Sequence, residues 1–137
     1  MVSALTPISG SNAAQRQEIL IVEDEQTSRR ALSLLLAASG YEPQAFRTAE
    51  EALRQFNPAR HPPIALIDLD LPGMNGLDLI SRLEKLDPSI FPVLITATDA
   101  DTLATRLHGR PVAYLRKPLD FELLLNLLAD QPNYMRN

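Results

Sequence analysis

The chain has 137 residues, of which 45% are hydrophobic, and a formal net charge of −4 at pH 7. This length suits one domain with a single core, and no stretch approaches the roughly 20 apolar residues of a membrane span. The lack of Cys excludes disulfides and thiolate sites, so any metal ligands must be oxygens. Lys and Arg are scattered among acids, which argues against direct nucleic-acid binding. Without a signal-peptide pattern, we expect a cytoplasmic protein.

The two ends of the chain differ in composition from the middle. Residues 1–17, MVSALTPISGSNAAQRQ, are largely polar and lack apolar periodicity, so we expect a flexible leader there. Residues 18–130 are expected to fold as one domain. We expect residues 131–137 to be a polar C-terminal tail or the start of a linker.

The first part of the folded region predicts two strand and helix pairs. Ile19–Val22 is a continuous apolar run, typical of a strand buried on both faces. Gln26–Ser39 has apolar residues at helical spacing and is followed by Gly40. Tyr41–Phe46 fits a short edge strand that contains a Pro, and Thr48-Ala-Glu-Glu is a capping box for the next helix.

The remaining chain continues the alternation. Ile64–Asp68 predicts a strand that ends at the Pro72-Gly73 turn. Later strands are predicted at Phe91–Thr96 and Val112–Leu115. The three helices between and after them carry Leu79 to Leu86, Leu103 with Leu107 behind a cap at Thr98 or Asp99, and Phe121–Ala129. Five strands that alternate with five helices predict an α/β fold, a doubly wound parallel sheet covered on both faces.

Chemically useful side chains follow four of these strands. Glu23-Asp24, Asp68, Thr96 and Lys117 end the first, third, fourth and fifth strands. In a doubly wound sheet the first and third strands are neighbours, so three carboxylates would meet at the crevice. Clustered anions repel one another, and a hard divalent cation with oxygen ligands relieves that repulsion. Lys117 and Thr96 could help to hold a phosphoryl group on Asp68.

These motifs resemble those of the receiver domain of bacterial two-component response regulators, of the chemotaxis-regulator-like kind. The matching segments are ILIVEDE, DLDLPGMNG, VLITA and YLRKP, within roughly residues 18–129. The resemblance implies a single-domain flavodoxin-like (βα)5 fold with a five-stranded parallel sheet of order 2-1-3-4-5. It also implies a signalling switch that catalyses only its own phosphorylation and dephosphorylation.

The resemblance assigns roles to individual residues. Asp68 would accept a phosphoryl group from the phosphohistidine of a sensor histidine kinase or phosphotransfer protein. Glu23, Asp24, Asp68 and the main-chain carbonyl of Asp70 would bind Mg²⁺ or Mn²⁺, and Lys117 would contact the phosphoryl oxygens. Glu23 stands where many receivers have Asp, and because it keeps the charge we expect metal binding to persist.

The same resemblance implies a conformational output. Thr96 would bond a phosphoryl oxygen, and Tyr114 would turn from exposed to buried. The fourth helix, fifth strand and fifth helix (the α4-β5-α5 face) would then control an output domain or protein, or form a homodimer. Asp70 and Thr98 match positions that tune loss of the phosphoryl group. The direction of the Asp70 effect stays open, because its charge can repel the group or orient water.

Two alternatives to the signalling switch stay open, as does the role of the last helix. One alternative to the switch is a receiver-like interaction module that works without phosphorylation. A haloacid-dehalogenase-like phosphatase also forms an aspartyl phosphate, but its acidic partners follow the nucleophile, whereas here they precede it. The last helix is apolar nearly all round, which fits either a deeply buried helix or a partner surface. The sensor kinase and the output pathway are not indicated by the sequence.

Overall fold

The computed structural model describes residues 16–59 and 64–130. The predicted leader up to residue 15 and the tail 131–137 lie outside the described residues. Within the described part, five parallel strands form one sheet of order β2-β1-β3-β4-β5, which confirms the predicted fold class and strand order. The strands are β1 (Gln17–Val22), β2 (Tyr41–Phe46), β3 (Ile64–Asp68), β4 (Phe91–Thr96) and β5 (Ala113–Arg116).

Five helices of the described chain connect and follow the strands, and each begins at a side chain that caps free N–H groups. The helices are α1 (Gln26–Ala38), α2 (Ala49–Gln55), α3 (Gly76–Leu86), α4 (Ala100–Leu107) and α5 (Phe121–Ala129). Thr48 caps α2 and bonds the Glu51 N–H, as the capping box predicts. Of the two predicted caps for α4, Asp99 is the one observed, because its carboxylate accepts from the Thr102 N–H.

The core lies in two layers on opposite faces of the sheet. Alternate residues of each central strand point to opposite faces, so both layers draw on the same strands. One layer packs α2, α3 and α4 against residues such as Leu20, Ile67 and Leu94. The other packs α1 and α5 against residues such as Ile21 and Leu66. This burial on both faces explains why β1 and β3 are continuous apolar runs.

Two strand boundaries differ from the predicted ones. β1 begins at Gln17, which pairs with Tyr41, so this residue belongs to the sheet and not to the leader. β5 covers Ala113–Arg116 and not Val112–Leu115, because its ladder with β4 runs from Ala113 to Arg116. A strand's limits follow from its partner, and the apolar pattern alone places them only approximately.

The last helix is not deeply buried. Leu124 and Leu128 of α5 lie in the core, whereas the side chain of Leu123 is 55% exposed. One of the two interpretations of this helix, a helix enclosed by its neighbours, is therefore wrong. Its use as a partner surface stays a prediction.

No helix in the part of the chain that the structure describes has the length and apolar content needed to cross a membrane.

Candidate functional site

The carboxyl ends of four strands meet at one edge of the sheet, and there the structure brings together most of the predicted site residues. β1 lies beside β3, β3 beside β4, and β4 beside β5. The side chains that follow these strands are Glu23 and Asp24, Asp68, Thr96, and Lys117. This is the crevice in which open α/β sheets bind ligands.

The three acidic residues form a compact cluster. Glu23, Asp24 and Asp68 each offer a carboxylate oxygen, and these oxygens lie within 4.8 Å of one another. Glu23 and Asp68 are buried, with 1% and 5% of their surface exposed, whereas Asp24 faces solvent. A buried carboxylate in its charged form is costly unless it is paired or binds a cation, so positive charge nearby stabilises this arrangement.

Lys117 supplies part of that charge. Its Nζ donates to Asp68 Oδ2 at 3.0 Å and lies 3.2 Å from Glu23 Oε1. Its main-chain N–H donates to the Thr96 carbonyl at 2.8 Å, which fixes the start of the loop between β5 and α5. Lys117 therefore joins the acceptor candidate to the acidic pair across the crevice.

The surroundings shift the pKa values of two of these groups. Burial raises the pKa of the Glu23 carboxyl and the Asp68 carboxylate adds to this, although the Glu25 N–H and Lys117 oppose it. Burial acts to lower the pKa of the Lys117 ammonium, but Asp68 and Glu23 outweigh this effect and raise that pKa. Lys117 is thus held in its charged form by the carboxylates that it bridges.

The donor set fits a hard divalent cation. Counted as charged groups, three carboxylates and one ammonium give the cluster a formal charge of −2. The oxygens are of the type that Mg²⁺ and Mn²⁺ prefer, and the exposed Asp24 leaves a path from solvent. A cation at this place would satisfy charges that Lys117 alone does not balance.

The carboxylate of Asp68 is held in one orientation from both sides. Asp68 Oδ1 accepts the Asp70 N–H at 2.9 Å, while Oδ2 accepts from Lys117. The backbone behind it approaches Gly76 closely, since a Cβ on Gly76 would lie 2.6 Å from the Asp68 carbonyl oxygen. The need for Gly at this position was not predicted, although the Gly that opens α3 is visible in the sequence.

Thr96 and Tyr114 lie on adjacent strands but differ in solvent exposure. Thr96 is fully buried, and its Oγ1 accepts the Thr98 N–H at 2.9 Å. Tyr114 pairs with Leu94 in the β4 and β5 ladder, on the face that α4 covers, and is 39% exposed. Tyr114 therefore still has exposed surface that a rotation could bury.

Asp70 lies on the solvent side of the acceptor candidate. Its carboxylate Oδ1 accepts from Arg106 of α4 at 3.1 Å. The sequence singled out Asp70 but not its partner, since the two are 36 residues apart.

Arg29 is a second residue that sequence reasoning missed. Its guanidinium donates to the main-chain carbonyls of Glu23 at 2.9 Å and Asp24 at 3.3 Å. Arg29 lies in the first turn of α1, and helical side chains lean toward the helix N-terminus, which here is the acidic loop. This position in the first turn is the signal that could have identified it.

An apolar hollow opens beside Lys117, between α1 and the loop that precedes α5. It encloses about 310 Å³. Its apolar lining consists of Ala31, Leu32, Leu35, Ile95, Pro118, Leu119 and Phe121. Leu34 and Leu35 of α1 are 67% and 46% exposed, so apolar surface continues outside the hollow.

Comparison with known proteins agrees with this architecture. The profile of the response regulator receiver domain matches residues 19–129. The two-component response regulator PhoP of Pseudomonas aeruginosa is 39% identical over 110 residues, which cover 78% of this chain and 48% of that protein. The DNA-binding response regulator MtrA of Mycobacterium leprae is 33% identical over 104 residues, covering 75% and 45%. The chain thus spans about half the length of these curated relatives.

Solved structures show the same fold. A CheY-like receiver domain protein from Methanospirillum hungatei superposes with a TM-score of 0.77 at 26% identity, covering 89% of this chain and 98% of that one. The response regulator TrrA of Thermotoga maritima, solved in complex with Mg²⁺ and BeF, has a TM-score of 0.72 at 25% identity, covering 84% and 98%.

This chain belongs to the response regulator receiver domain family. Receiver domains are signalling switch domains of two-component systems, and response regulators interact with sensor kinases and output domains. Receiver domains generally bind Mg²⁺ at an acidic pocket, and in this chain Glu23, Asp24 and Asp68 form a cluster of acidic residues.

Proposed function

We propose that Asp68 is the phosphoryl acceptor of a two-component phosphorelay, and that its phosphorylation depends on Mg²⁺ or Mn²⁺ and changes the α4-β5-α5 face. The donor is the phosphohistidine of a sensor histidine kinase or phosphotransfer protein. The observation that carries this proposal is the contact of Lys117 Nζ with Asp68 Oδ2 at 3.0 Å, beside two further carboxylates.

The chemistry is a single phosphoryl transfer. An Asp68 carboxylate oxygen bonds to phosphorus as the bond from phosphorus to the donor imidazole nitrogen breaks, and the imidazole leaves with the electron pair and takes up a proton. A transfer of this kind needs positioning and charge neutralisation more than covalent assistance. Glu23, Asp24, Asp68 and the main-chain carbonyl of Asp70 would hold the cation, which neutralises developing charge on the phosphoryl oxygens when bound.

Lys117 is the fixed cation of the proposed site. It would contact the phosphoryl oxygens, because its ammonium already lies at the acceptor carboxylate and its pKa is raised by Asp68 and Glu23 against the effect of burial. Thr96 has its hydroxyl oxygen at the same edge of the sheet, where it would donate to a phosphoryl oxygen. Asp70 and Thr98, each two residues past a site residue, would tune how long the phosphoryl group persists.

The proposed output follows from the positions of Thr96 and Tyr114. A Thr96 hydroxyl drawn toward the phosphoryl group would give up its bond with the Thr98 N–H and move the β4-α4 loop. Tyr114 would then rotate into the vacated space on the α4 face. An output domain or protein, or a second copy of the chain, would recognise the altered α4-β5-α5 face.

Surface features support a docking protein as the donor. The hollow beside Lys117 and the exposed Leu34 and Leu35 place apolar area next to the acceptor. Apolar area rimmed by polar groups is typical of protein contacts. A histidine-bearing helix that packs on α1 would bring its phosphoryl group to the crevice edge.

Phosphorylation from acetyl phosphate tests the proposal directly. With Mg²⁺, mass spectrometry should show one phosphoryl group per chain, and EDTA or the substitution Asp68→Asn should abolish the adduct. Asp78→Asn is the matched control, because it removes the same charge from an exposed residue of α3 and should leave labelling intact.

Two outcomes would contradict the proposal. The absence of both labelling and any response to beryllofluoride with Mg²⁺ would favour the interaction module that works without phosphorylation. Continued release of phosphate from small phosphate esters, well beyond one equivalent, would favour the phosphatase.

A further inference from the structure

Asp70 carries a further carboxylate two residues from the acceptor, outside the compact cluster of Glu23, Asp24 and Asp68. Its main-chain N–H bonds Asp68 Oδ1 at 2.9 Å, so the two residues are coupled through the backbone. Its own carboxylate is 55% exposed and is bound to Arg106, whose side chain is 35% exposed. The pair is therefore a contact at the rim of the crevice that can rearrange at small energetic cost.

Helix geometry explains how Arg106 reaches the crevice. Arg106 lies in the last turn of α4, whose first turn follows the carboxyl end of β4. Helical side chains lean toward the helix N-terminus, so the long Arg106 side chain extends back toward the strand ends. Leu103 is the buried residue of α4 and Leu107 packs against the same core, whereas Arg106 is only partly buried and can make a polar contact.

Charge makes the contact relevant to phosphoryl transfer. The crevice already holds Glu23, Asp24 and Asp68, and an incoming phosphoryl donor is itself an anion. An unpaired Asp70 carboxylate two residues from the acceptor would repel that donor. Arg106 cancels this charge and fixes the carboxylate on the side of α4.

We propose that Arg106 is a positioning residue of the acceptor site, which neutralises and orients Asp70 so that the phosphoryl donor can approach Asp68. This inference rests on the proposed function of Asp68. It gives Asp70 a definite partner and gives the effect of Asp70 a direction. When Asp70 is paired with Arg106, the phosphoryl donor can enter the crevice, and when Asp70 is unpaired, that entry is slower.

Removal of Arg106 should slow labelling without harming the cation site. At saturating Mg²⁺ and low ionic strength, Arg106→Gln should be labelled by acetyl phosphate about two- to fivefold more slowly than the unmodified protein. Its affinity for Mg²⁺ should not fall, because an extra negative charge attracts the cation. Added salt should reduce the deficit, since it screens a rim charge.

Compensating and control variants identify the cause. The double variant Arg106→Gln/Asp70→Asn should recover the rate of the unmodified protein, because the pair is then neutral again, and Arg106→Lys should recover most of it. Arg110→Gln is the matched control: Arg110 forms a comparable contact with Glu84 of α3, at 2.6 Å. It changes net charge equally and should leave the labelling rate unchanged.

The possible results separate this inference from the proposed function. If the unmodified protein is not labelled, the proposed function fails. If that protein is labelled and Arg106→Gln matches it in rate, or the double variant stays as slow as Arg106→Gln, the role of Arg106 is wrong while Asp68 remains the acceptor. An equal slowing in Arg110→Gln would also overturn it, since the effect would then be general loss of charge.

Discussion

The centre of the sheet and its β5 edge are built differently. β1, β3 and β4 are buried on both faces at their carboxyl ends, and the acidic cluster lies at the ends of β1 and β3. β5 alternates between partly buried and exposed residues, and α4 beside it is anchored by Leu103. Functional groups need a rigid support, whereas a surface that changes shape needs weak packing.

In the proposed function, this difference would separate the chemistry at Asp68 from its output at the α4-β5-α5 face. Asp68 is oriented by Lys117 and by the Asp70 N–H, and its backbone is packed against Gly76. The α4-β5 edge is joined to the rest of the molecule partly by rim contacts such as those of Arg106 and Arg110. Under the proposed function, a small change at the centre would therefore shift the edge, because packing at the edge opposes the shift only weakly.

The sharpest test of this difference substitutes one Gly beside the centre of the sheet and one Gly near its β5 edge. Gly76→Ala would force a Cβ to 2.6 Å from the Asp68 carbonyl oxygen and 2.9 Å from the Leu69 Cα. We expect a loss of about 3 kcal/mol in the free energy of unfolding, from overpacking against the backbone. Displacement of Asp68 should also slow labelling by at least about tenfold. Denaturant unfolding and acetyl phosphate labelling measure the two effects.

Gly109→Ala is the matched variant at the edge. Gly109 has φ +78°, and no atom lies within 4 Å of an added Cβ, so the expected cost is backbone strain of about 1 kcal/mol. Its labelling rate should stay unchanged. Equal losses of stability and of labelling in both variants would contradict the distinction between a rigid centre and a loosely packed edge.

A second prediction concerns the cost of burying Glu23. Its pKa is raised by burial and by Asp68, so the ionised form is less favourable in the folded chain than in the unfolded one. The stabilising contribution of Glu23 to the free energy of unfolding is fully present below its ordinary pKa of 4.5. It is lost as the pH rises through the raised pKa that Glu23 has in the folded chain. Glu23→Gln should therefore raise the melting temperature at pH 7 in EDTA, with the gain disappearing below about pH 4.

The same substitution should weaken the cation site. Loss of one ligand should reduce Mg²⁺ affinity by at least about tenfold, measured by calorimetric titration. Asp24→Asn is the control: Asp24 is exposed, so its substitution should reduce Mg²⁺ affinity while changing stability by less than about 0.5 kcal/mol. A Glu23→Gln protein that is less stable at pH 7 without metal would show that Glu23 serves the fold.

The difference between the centre of the sheet and its β5 edge also explains which features could be predicted from the sequence. The apolar runs that end at Glu23, Asp68 and Thr96 are local patterns, and parallel strands necessarily bring their carboxyl ends to one edge. The fold and the grouping of the acidic residues follow from these two facts. The limits of β5 did not follow, because its pairing with β4 sets them.

Residues that act through distant contacts were also missed. Arg106 meets Asp70 across 36 residues, and Gly76 is required by the path of the backbone behind Asp68. Neither contact leaves a periodic signal in the sequence. Arg29 is intermediate between the residues that could be predicted and those that could not. Its position in the first turn of α1 follows directly after the acidic loop that it binds, so the contact is local in the sequence.

The smallest expected effect concerns Tyr114, and the two edges of the sheet provide the comparison. The chain has three Tyr and no Trp, so Tyr emission can be assigned by substitution. In a Tyr41→Phe/Tyr134→Phe background, Tyr114 is the sole emitter and is 39% exposed. Beryllofluoride with Mg²⁺ should reduce acrylamide quenching of its emission, because the ring would turn inward as Thr96 moves.

Tyr emission from the opposite edge of the sheet, at β2, should not respond to the same treatment. A Tyr114→Phe/Tyr134→Phe protein reports from Tyr41, which lies on β2 and packs against the α1 and α5 layer, away from Thr96. Its quenching should not change, and Asp68→Asn should abolish the response of Tyr114. Equal responses from both Tyr residues would indicate a general compaction. A labelled protein in which Tyr114 quenching is constant would show that Tyr114 does not rotate, so the surface change would have to arise from α4 alone.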